Sequence, residues 1–304
     1  MDADSGGRDP SLIERLEQHV HDQAGEAHLD ARDPVYIKSI MPIMGVALRW
    51  FDPEVRDFDR LPEQGPYLVV GNHSGGVLMP DYWAFLHRWV RERGADAPLY
   101  SLGFDLLFAM PGTSTLTRKI GGVPASHENA AALLDRGAPV LVYPGGDEDD
   151  YRPWTQRHRI DLHGRMGFVR LALRHQVPVV PLVSHGSHDA IIVVARGDEL
   201  ARSIGLGRFR VNVMPVVLGP TGPSLLPLPG PPLPAKVISR VCEPLDWSQH
   251  PPEAADDDEV VRQCYEEALG RMQAGLDELV AEVPHPVRHR IASALGLHRL
   301  SGRR

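Results

Sequence analysis

The feature that most constrains the fold is an alternation of short apolar runs with helical segments, which starts at residue 66. PYLVVGNH has the pattern of a buried strand ending in polar residues, and the helical pattern DYWAFLHRWVRER leads to the short run PLYSLGF. The same order recurs as ENAAALLDRG before APVLVYPGG and as GRMGFVRLALRHQ before VPVVPLVSHG. Strands that alternate with helices of this length are typical of βαβ units. The sequence therefore predicts an α/β fold with a mainly parallel sheet flanked by helices.

Helical additions are expected at both ends of this core. Residues 11–23 have the periodicity of an amphipathic helix, and the apolar segment 35–51 fits either a core helix or a helix lying in a membrane interface. We place the N-terminal helices, with a possible membrane-facing role, at 1–50, the α/β domain at 51–250, and a C-terminal helix with a basic tail at 251–304.

The stretch before the C-terminal helix is rich in proline. RFRVNVMPVV is expected to add a strand, GPTGPSLLPLPGPPLPA to form only loop or polyproline II, and KVISRVCEPL to form the last strand. The tail HPVRHRIASALGLHRLSGRR has five arginines and no acidic residue, which fits either an interfacial helix or a solvated terminus.

Composition indicates which binding partners and which cellular location to expect. The formal net charge of −8 argues against a nucleic-acid binder, and the two cysteines match no C-x-x-C spacing. The acidic start MDADSGGRD does not resemble a signal peptide, and no run reaches the roughly 18 apolar residues needed to span a bilayer. We therefore expect a cytoplasmic protein that meets a membrane from the side, on its inner face.

Three predicted strands end in polar, glycine-rich sequence: GNHSGG, YPGGDEDD and SHGSHD. Ligands gather at the carboxyl ends of parallel strands, so catalytic residues are sought there. His73 in the first of these has the chemistry of a general base, provided that a carboxylate holds its second ring nitrogen, and Asp81 is the nearest candidate. The alternatives are a capping or core histidine, and an aspartate favoured by the helix dipole.

His185, His188 and Asp189 at another strand end are metal-ligand types. They lack further ligands at a recognisable spacing, so a polar loop lining the cleft is the simpler interpretation and no metal is expected. The sequence also lacks G-x-S-x-G, G-x-G-x-x-G and a P-loop, which leaves a serine hydrolase and nucleotide cofactors without motif support.

Four blocks together resemble the glycerolipid acyltransferase family, which contains the lysophosphatidic acid acyltransferases. Gly71-Asn72-His73-Ser74 resembles the family's catalytic N-H block, and Ile120 to Ser126 resembles its glycine-led second block. Tyr143-Pro144-Gly145-Gly146 stands where F-P-E-G is usual, and Val177 to Val183 is similar to the closing v-P-v-v-P-v block. Their order and spacing cover roughly residues 50 to 245.

The resemblance implies acyl transfer from an acyl-CoA or acyl-carrier thioester, used as co-substrate with no bound cofactor, to a lipid hydroxyl. It implies His73 and Asp81 as the catalytic pair. The candidate substrate-binding residues are Asn72, Ser74, Gly75, Gly76, Ser126, Pro144, Gly145, Gly146, Asp147, Glu148 and Arg152. The alternatives are a lipid esterase or thioesterase that uses the same histidine, and a non-catalytic lipid-binding protein on the same scaffold.

Three departures from the family pattern bear on the acceptor. Seven residues, SGGVLMP, separate His73 from Asp81 where the family has four, so the glycine pair must loop out the extra residues. The second block lacks its usual arginine, and Gly145 replaces glutamate in the third. In the family these residues are associated with the acceptor's phosphate, and the P-G-G form resembles the branch that acylates neutral alcohols. Other basic side chains are candidates for phosphate or coenzyme A contacts: Arg118, Lys119, Arg152, Arg157 and Arg159.

Overall fold

The computed structural model describes residues 28–110, 112–209, 211–225 and 230–297, together with residues 15, 18, 20 and 22. The predicted helix over 11–23 otherwise lies outside the described residues, as does the end of the basic tail. No helix in these ranges is both long and apolar enough to cross a membrane.

A seven-stranded sheet forms the centre. Its strands are β1 (Glu54–Arg56), β2 (Leu68–Gly71), β3 (Tyr100–Gly103), β4 (Gly122–Pro124), β5 (Val140–Val142), β6 (Val179–His185) and β10 (Ile238–Val241). Across the sheet they lie in the order β1-β10-β6-β2-β5-β3-β4. All neighbours pair in parallel except β10 with β6. The predicted α/β fold with a mainly parallel sheet is confirmed.

Eleven α-helices surround the sheet within the described ranges. They are α1 (Pro34–Leu48), α2 (Pro80–Arg93), α3 (Asp105–Ala109), α4 (Thr113–Lys119), α5 (His127–Asp135), α6 (Gly146–Asp150), α7 (Gly167–His175), α8 (Ser187–Ala190), α9 (Asp198–Ser203), α10 (Asp258–Glu282) and α11 (Pro286–Ala294). Single 3₁₀ turns lie at Phe58–Arg60, Gly76–Leu78, Trp154–Gln156, Leu206–Phe209 and Pro252–Asp256.

The sheet separates two apolar cores because successive strand residues point to opposite faces. In β2, Leu68 and Val70 pack in the core that contains α5, α7 and α10, while Val69 packs in the core that contains α1 and α2. Both faces are covered, which explains why the central strands read as continuous apolar runs. The loops at the strand ends are thereby held on a rigid base.

The proline-rich stretch contains a strand that the sequence analysis excluded. Residues Gly222–Leu225 form β9, which pairs antiparallel with β8 (Val216–Gly219), and β8 pairs with β7 (Ile192–Ala195) in a separate three-stranded sheet. Pro223 is tolerated because β9 is an edge strand, where a missing backbone donor breaks no inner ladder. The expectation of only loop or polyproline II was therefore wrong for these four residues.

The helices at the two ends meet at one point. Arg290 of α11 donates hydrogen bonds to the carbonyl oxygens of Arg49 and Trp50, at 2.7 and 3.0 Å, just after α1 ends.

The long helix α10 begins at a side-chain cap, in which Asp257 accepts hydrogen bonds from the backbone amides of Glu259 and Val260. Such a cap satisfies donors that the first turn leaves free.

Candidate active site

The three polar strand ends singled out in the sequence lie side by side. Strand β2 is hydrogen-bonded to β5 on one side and to β6 on the other, and all three run parallel. Their carboxyl ends therefore meet at one edge of the sheet, which brings the sequences after Gly71, Val142 and His185 together. This edge is the candidate active site.

The loop from His73 to Asp81 folds back on itself. Gly75 has φ +97° and Gly76 has φ +61°, a region in which residues with a Cβ are rarely found. A 3₁₀ turn follows, and Met79 at φ +43° leads into Pro80 and the first turn of α2. This path takes up the three extra residues by which the spacing exceeds the family pattern.

The fold of this loop brings His73 and Asp81 into contact. Nδ1 of His73 lies 3.1 Å from Oδ2 of Asp81, and the backbone amide of Ser74 donates to the same oxygen at 3.1 Å. Asp81 is fully buried, while 14% of the His73 side chain is exposed. The carboxylate therefore fixes one ring nitrogen and leaves Nε2 as the atom that can take a proton from a substrate.

Two carboxylates that the sequence analysis did not select also contact this loop. Oδ2 of Asp149 accepts a hydrogen bond from the backbone amide of His73, and Oδ1 of Asp150 accepts one from that of Gly76, both at 2.7 Å. Arg152 donates to Asp149 at 2.5 Å and to the carbonyl oxygen of Asp161 at 3.0 Å. We call His73, Asp81, Asp149 and Asp150 the acidic cluster.

The acidic cluster shifts the protonation of its members. Burial alone lowers the pKa of His73, but the negative charges of Asp150, Asp81 and Asp149 outweigh it and raise that pKa to about 9. Burial raises the pKa of Asp150 to about 6, and it also raises the pKa of Asp149, against the effect of Arg152. The ring of Tyr143 stacks on that of His73 with a centroid distance of 4.4 Å.

The two glycines of the third block make room for the protein's own side chains. A Cβ on Gly145 would lie 2.3 Å from Cβ of Asp149, and one on Gly146 would lie 2.5 Å from Nη1 of Arg165. That same Nη1 donates to the carbonyl oxygens of Pro144 and Gly145 at 3.1 and 2.9 Å. Asp149 thus occupies the position at which a side chain on residue 145 would begin.

The other predicted substrate-binding residues make structural contacts. Asn72 exchanges two hydrogen bonds with the backbone of Ser184, at 2.9 and 2.7 Å, and so ties β2 to β6. Ser126 caps α5 by accepting from the amide of Asn129. Asp147 accepts from the backbone and side chain of Asn212, and Glu148 accepts from Arg165. Among the predicted substrate-binding residues, Ser74, Gly76 and Arg152 donate hydrogen bonds to carboxylates of the acidic cluster, and Gly145 lies against Asp149.

The remaining basic candidates are engaged elsewhere. Lys119 pairs with Asp33 at 3.3 Å, Arg157 pairs with Asp189 at 3.4 Å, and the Arg118 guanidinium lies over the Phe108 ring. Arg159 lies 3.9 Å from Asp161.

The polar residues at the end of β6 make contacts that are separate from one another. Nε2 of His185 donates to the carbonyl oxygen of Val283 at 2.9 Å, and burial lowers the pKa of His188 to about 3. Within the described residues, no three His, Cys, Asp or Glu side chains form a group suited to a metal ion.

The sequence contained a signal for the two missed carboxylates. Asp149 and Asp150 end the acidic run that follows Gly146, and this run comes after the strand that neighbours β2. Adjacent parallel strands place their following loops together. A run of four acidic residues, however, has the composition of a solvated surface, and only the turn at Gly146 directs its second half inward.

Comparison with known proteins places the site in a family. Residues 52–185 match the sequence model of the acyltransferase family. An uncharacterised protein of Mycobacterium tuberculosis is 32% identical over 234 residues, which cover 74% of this chain and 63% of that protein. The chain thus spans less than two thirds of that relative. Phytyl ester synthase 2 of Arabidopsis thaliana is 31% identical over 152 residues, 48% of this chain and 21% of the synthase.

Among solved structures, the lysophosphatidic acid acyltransferase PlsC of Thermotoga maritima is 19% identical, with a TM-score of 0.49 over 80% of this chain and 79% of that one. The family match spans all four blocks, from the N-H block through Val177 to Val183, and it extends to the end of β6. The resemblance seen in the sequence is confirmed, because residues 52–185 of this chain match the acyltransferase family.

Proposed function

We propose that this chain transfers a fatty acyl group from an acyl-CoA or acyl-carrier thioester to the hydroxyl of a neutral lipid alcohol, with His73 as general base. The observation that carries the proposal is the 3.1 Å contact between His73 Nδ1 and Asp81 Oδ2. Asp81 holds the tautomer in which Nδ1 carries the proton, so Nε2 presents its lone pair to the acceptor.

The reaction needs no covalent enzyme intermediate. Nε2 of His73 takes the proton of the acceptor hydroxyl as its oxygen attacks the thioester carbonyl carbon. The carbon–sulfur bond then breaks, and the leaving thiolate takes the proton from the imidazolium. Asp81 stabilises the imidazolium formed between these two events.

The charge around His73 supports a neutral acceptor. Asp81, Asp149 and Asp150 surround the loop, and the buried Arg152 is already paired with Asp149. A phosphate dianion would need several charge-assisted hydrogen bonds to offset its desolvation, and here it would approach carboxylates. Phytyl ester synthase 2, among the relatives, is named for an ester of an alcohol.

The apolar surface beside the loop supports a lipid acceptor. Val35, Ile43, Val46 and Trp50 recur at helical spacing along α1 and its end, and between 49 and 76% of each is exposed, while Ile37 and Met41 are buried on the other side. A cleft of about 360 Å³ at the end of α1 is lined by Ala47, Trp50, Phe51, Leu78, Pro231 and Pro232.

Leu78 belongs to the loop between His73 and Asp81, so the cleft adjoins the catalytic loop. We propose that this surface, which we call the α1 surface, lies on the inner face of a membrane and that the protein is peripheral there. Arg290 holds α11 against the end of α1, and Ile291, Leu295 and Leu297 of the same C-terminal segment are exposed.

Thioester consumption tests the reaction class. Purified protein is mixed with an acyl thioester, with and without a panel of lipid acceptors, and products are identified by mass spectrometry. The proposal predicts an ester that forms only with an acceptor and only with His73 present. Free fatty acid formed without an acceptor would indicate a thioesterase, and binding without turnover would indicate a lipid-binding protein. Either result would overturn the proposal.

A further inference from the structure

The loop between His73 and Asp81 contains backbone conformations that contacts from outside the loop must stabilise. Three of its residues, Gly75, Gly76 and Met79, have positive φ, and Met79 has a Cβ that disfavours this region. Such conformations persist when surrounding groups fix them. The contacts that fix this loop therefore decide whether His73 meets Asp81.

Two of those contacts come from α6, a segment far along the chain. Asp149 accepts the backbone amide of His73 and Asp150 accepts that of Gly76, each at 2.7 Å. The two amides bracket the turn at Ser74 and Gly75. Both carboxylates are buried, with 1% and 8% of the residue exposed.

Burying two neighbouring carboxylates is costly unless each is paired or hydrogen-bonded. Asp149 is paired with Arg152, while Asp150 accepts a hydrogen bond from the loop amide of Gly76. Gly145 is needed for this arrangement, because a Cβ there would overlap Asp149. The departure of the third block from the family pattern and the long loop of the first block therefore occur at the same place in space.

We propose that Asp149 and Asp150 are positioning residues, which hold the main chain at His73 and Gly76 so that the long loop brings the imidazole onto Asp81. This inference rests on the proposed role of His73 as base. Asp149 and Asp150 act through the backbone and do not touch the acceptor.

Substitutions of Asp150 can separate the effect of its hydrogen bond to the Gly76 amide from the effect of its negative charge. In Asp150→Asn the side-chain oxygen still accepts the Gly76 amide, whereas Asp150→Ala removes both the acceptor and the charge. The other groups around the imidazole stay the same in both variants: Asp81, Asp149, the Tyr143 ring, and the positive charge of Arg152 behind Asp149. The neutral His188 is also unchanged.

The kinetic test compares these two variants. Asp150→Ala is expected to lower kcat by about 10²-fold, the scale of a misplaced catalytic group, with the KM for the thioester unchanged. Asp150→Asn should keep kcat within a few-fold when assayed above the pKa of His73. Asp257→Ala, which removes a carboxylate from two backbone amides at the start of α10, is the matched control and should lower Tm without changing kcat.

Two NMR measurements test the same proposal without any turnover. The Nδ1 proton of His73 should give a downfield signal in the wild type and in Asp150→Asn, and it should be lost in Asp150→Ala. Hydrogen exchange at the Gly76 amide of the wild type should be strongly slowed, and this measurement does not require the Ala variant to fold.

The outcomes separate this proposal from the proposed function. A wild-type chain without acyl transfer, but with a slowed Gly76 amide and a His73 signal that depends on Asp150, would overturn the function and keep the positioning role. Two results would overturn the positioning role alone. One is a kcat of Asp150→Ala within twofold of the wild type, and the other is hydrogen exchange at the Gly76 amide at the rate of an unfolded chain.

Discussion

The loop between His73 and Asp81 separates two different surroundings. On its inner side the acidic cluster is buried and hydrogen-bonded, with every carboxylate accepting a backbone amide or the imidazole. On its outer side Leu78 joins Trp50 and two prolines in an apolar cleft next to the α1 surface. One side is suited to proton transfer and the other to hydrocarbon, so changes on the two sides should have separable effects.

Loss of the histidine should have the largest effect. We expect His73→Ala to lower kcat by about 10²- to 10⁴-fold, the usual contribution of a general base. Circular dichroism and vesicle binding should be unchanged, because the side chain adds little packing and, at 14% exposure, offers little surface to a membrane. Activity within a few-fold of the wild type would show that another group takes the proton.

Neutralising the partner of His73 should have the next largest effect. Asp81→Asn should lower kcat by roughly 10²-fold, because an amide neither fixes the productive tautomer nor stabilises the imidazolium. Asp246→Asn, a change at a carboxylate that accepts the Ser248 amide elsewhere in the chain, serves as the control. Equal activity of both variants would reassign Asp81 to helix capping.

The raised pKa of His73 predicts an alkaline rise in activity. The imidazolium cannot accept a proton, so kcat/KM should increase by about tenfold per pH unit until the pH approaches the pKa of about 9. Asp150→Asn removes a negative charge that favours the imidazolium, so the rise should end at lower pH. A profile that is flat between pH 6 and pH 9, corrected with His73→Ala, would contradict the effect assigned to the acidic cluster.

Changes on the α1 surface should have the smallest effect and a different readout. The double variant Ile43→Asp and Val46→Asp should weaken vesicle flotation several-fold, because both exposed side chains lose interfacial contact. A matched pair of exposed residues elsewhere, Val194→Asp and Ile204→Asp, should not. Unchanged flotation in the first variant, or equal losses in both, would remove the functional difference between the two sides of the loop.

Strands whose own sequence is apolar could be predicted, whereas strands that depend on their partners could not. Strands β2, β5 and β6 were predictable because each is an apolar run that ends in polar residues, and His73 follows one of them. Strands β1 and β9 were not, because three or four residues of ordinary composition become strands only through their partners β10 and β8. Pairing of this kind depends on the assembled fold.

The roles of the side chains in the acidic run after Gly146 also depend on the assembled fold. Asp147 and Glu148 bind Asn212 and Arg165, whereas Asp149 and Asp150 turn inward to the loop between His73 and Asp81. Four consecutive carboxylates carry no periodicity that distinguishes these roles. The positive φ of Gly146 and the space at Gly145 decide which pair is buried.

A competition between acceptors tests directly whether this protein prefers a neutral lipid alcohol. Purified protein receives one acyl thioester and equal amounts of diacylglycerol and lysophosphatidic acid in the same micelles, with His73→Ala as background, and mass spectrometry gives the ratio of products. We predict that kcat/KM for the neutral alcohol equals or exceeds that for the phosphorylated acceptor, because the acidic cluster disfavours a phosphate. A strong preference for lysophosphatidic acid that is abolished by neutralising Arg118, Lys119 or Arg152 would contradict it.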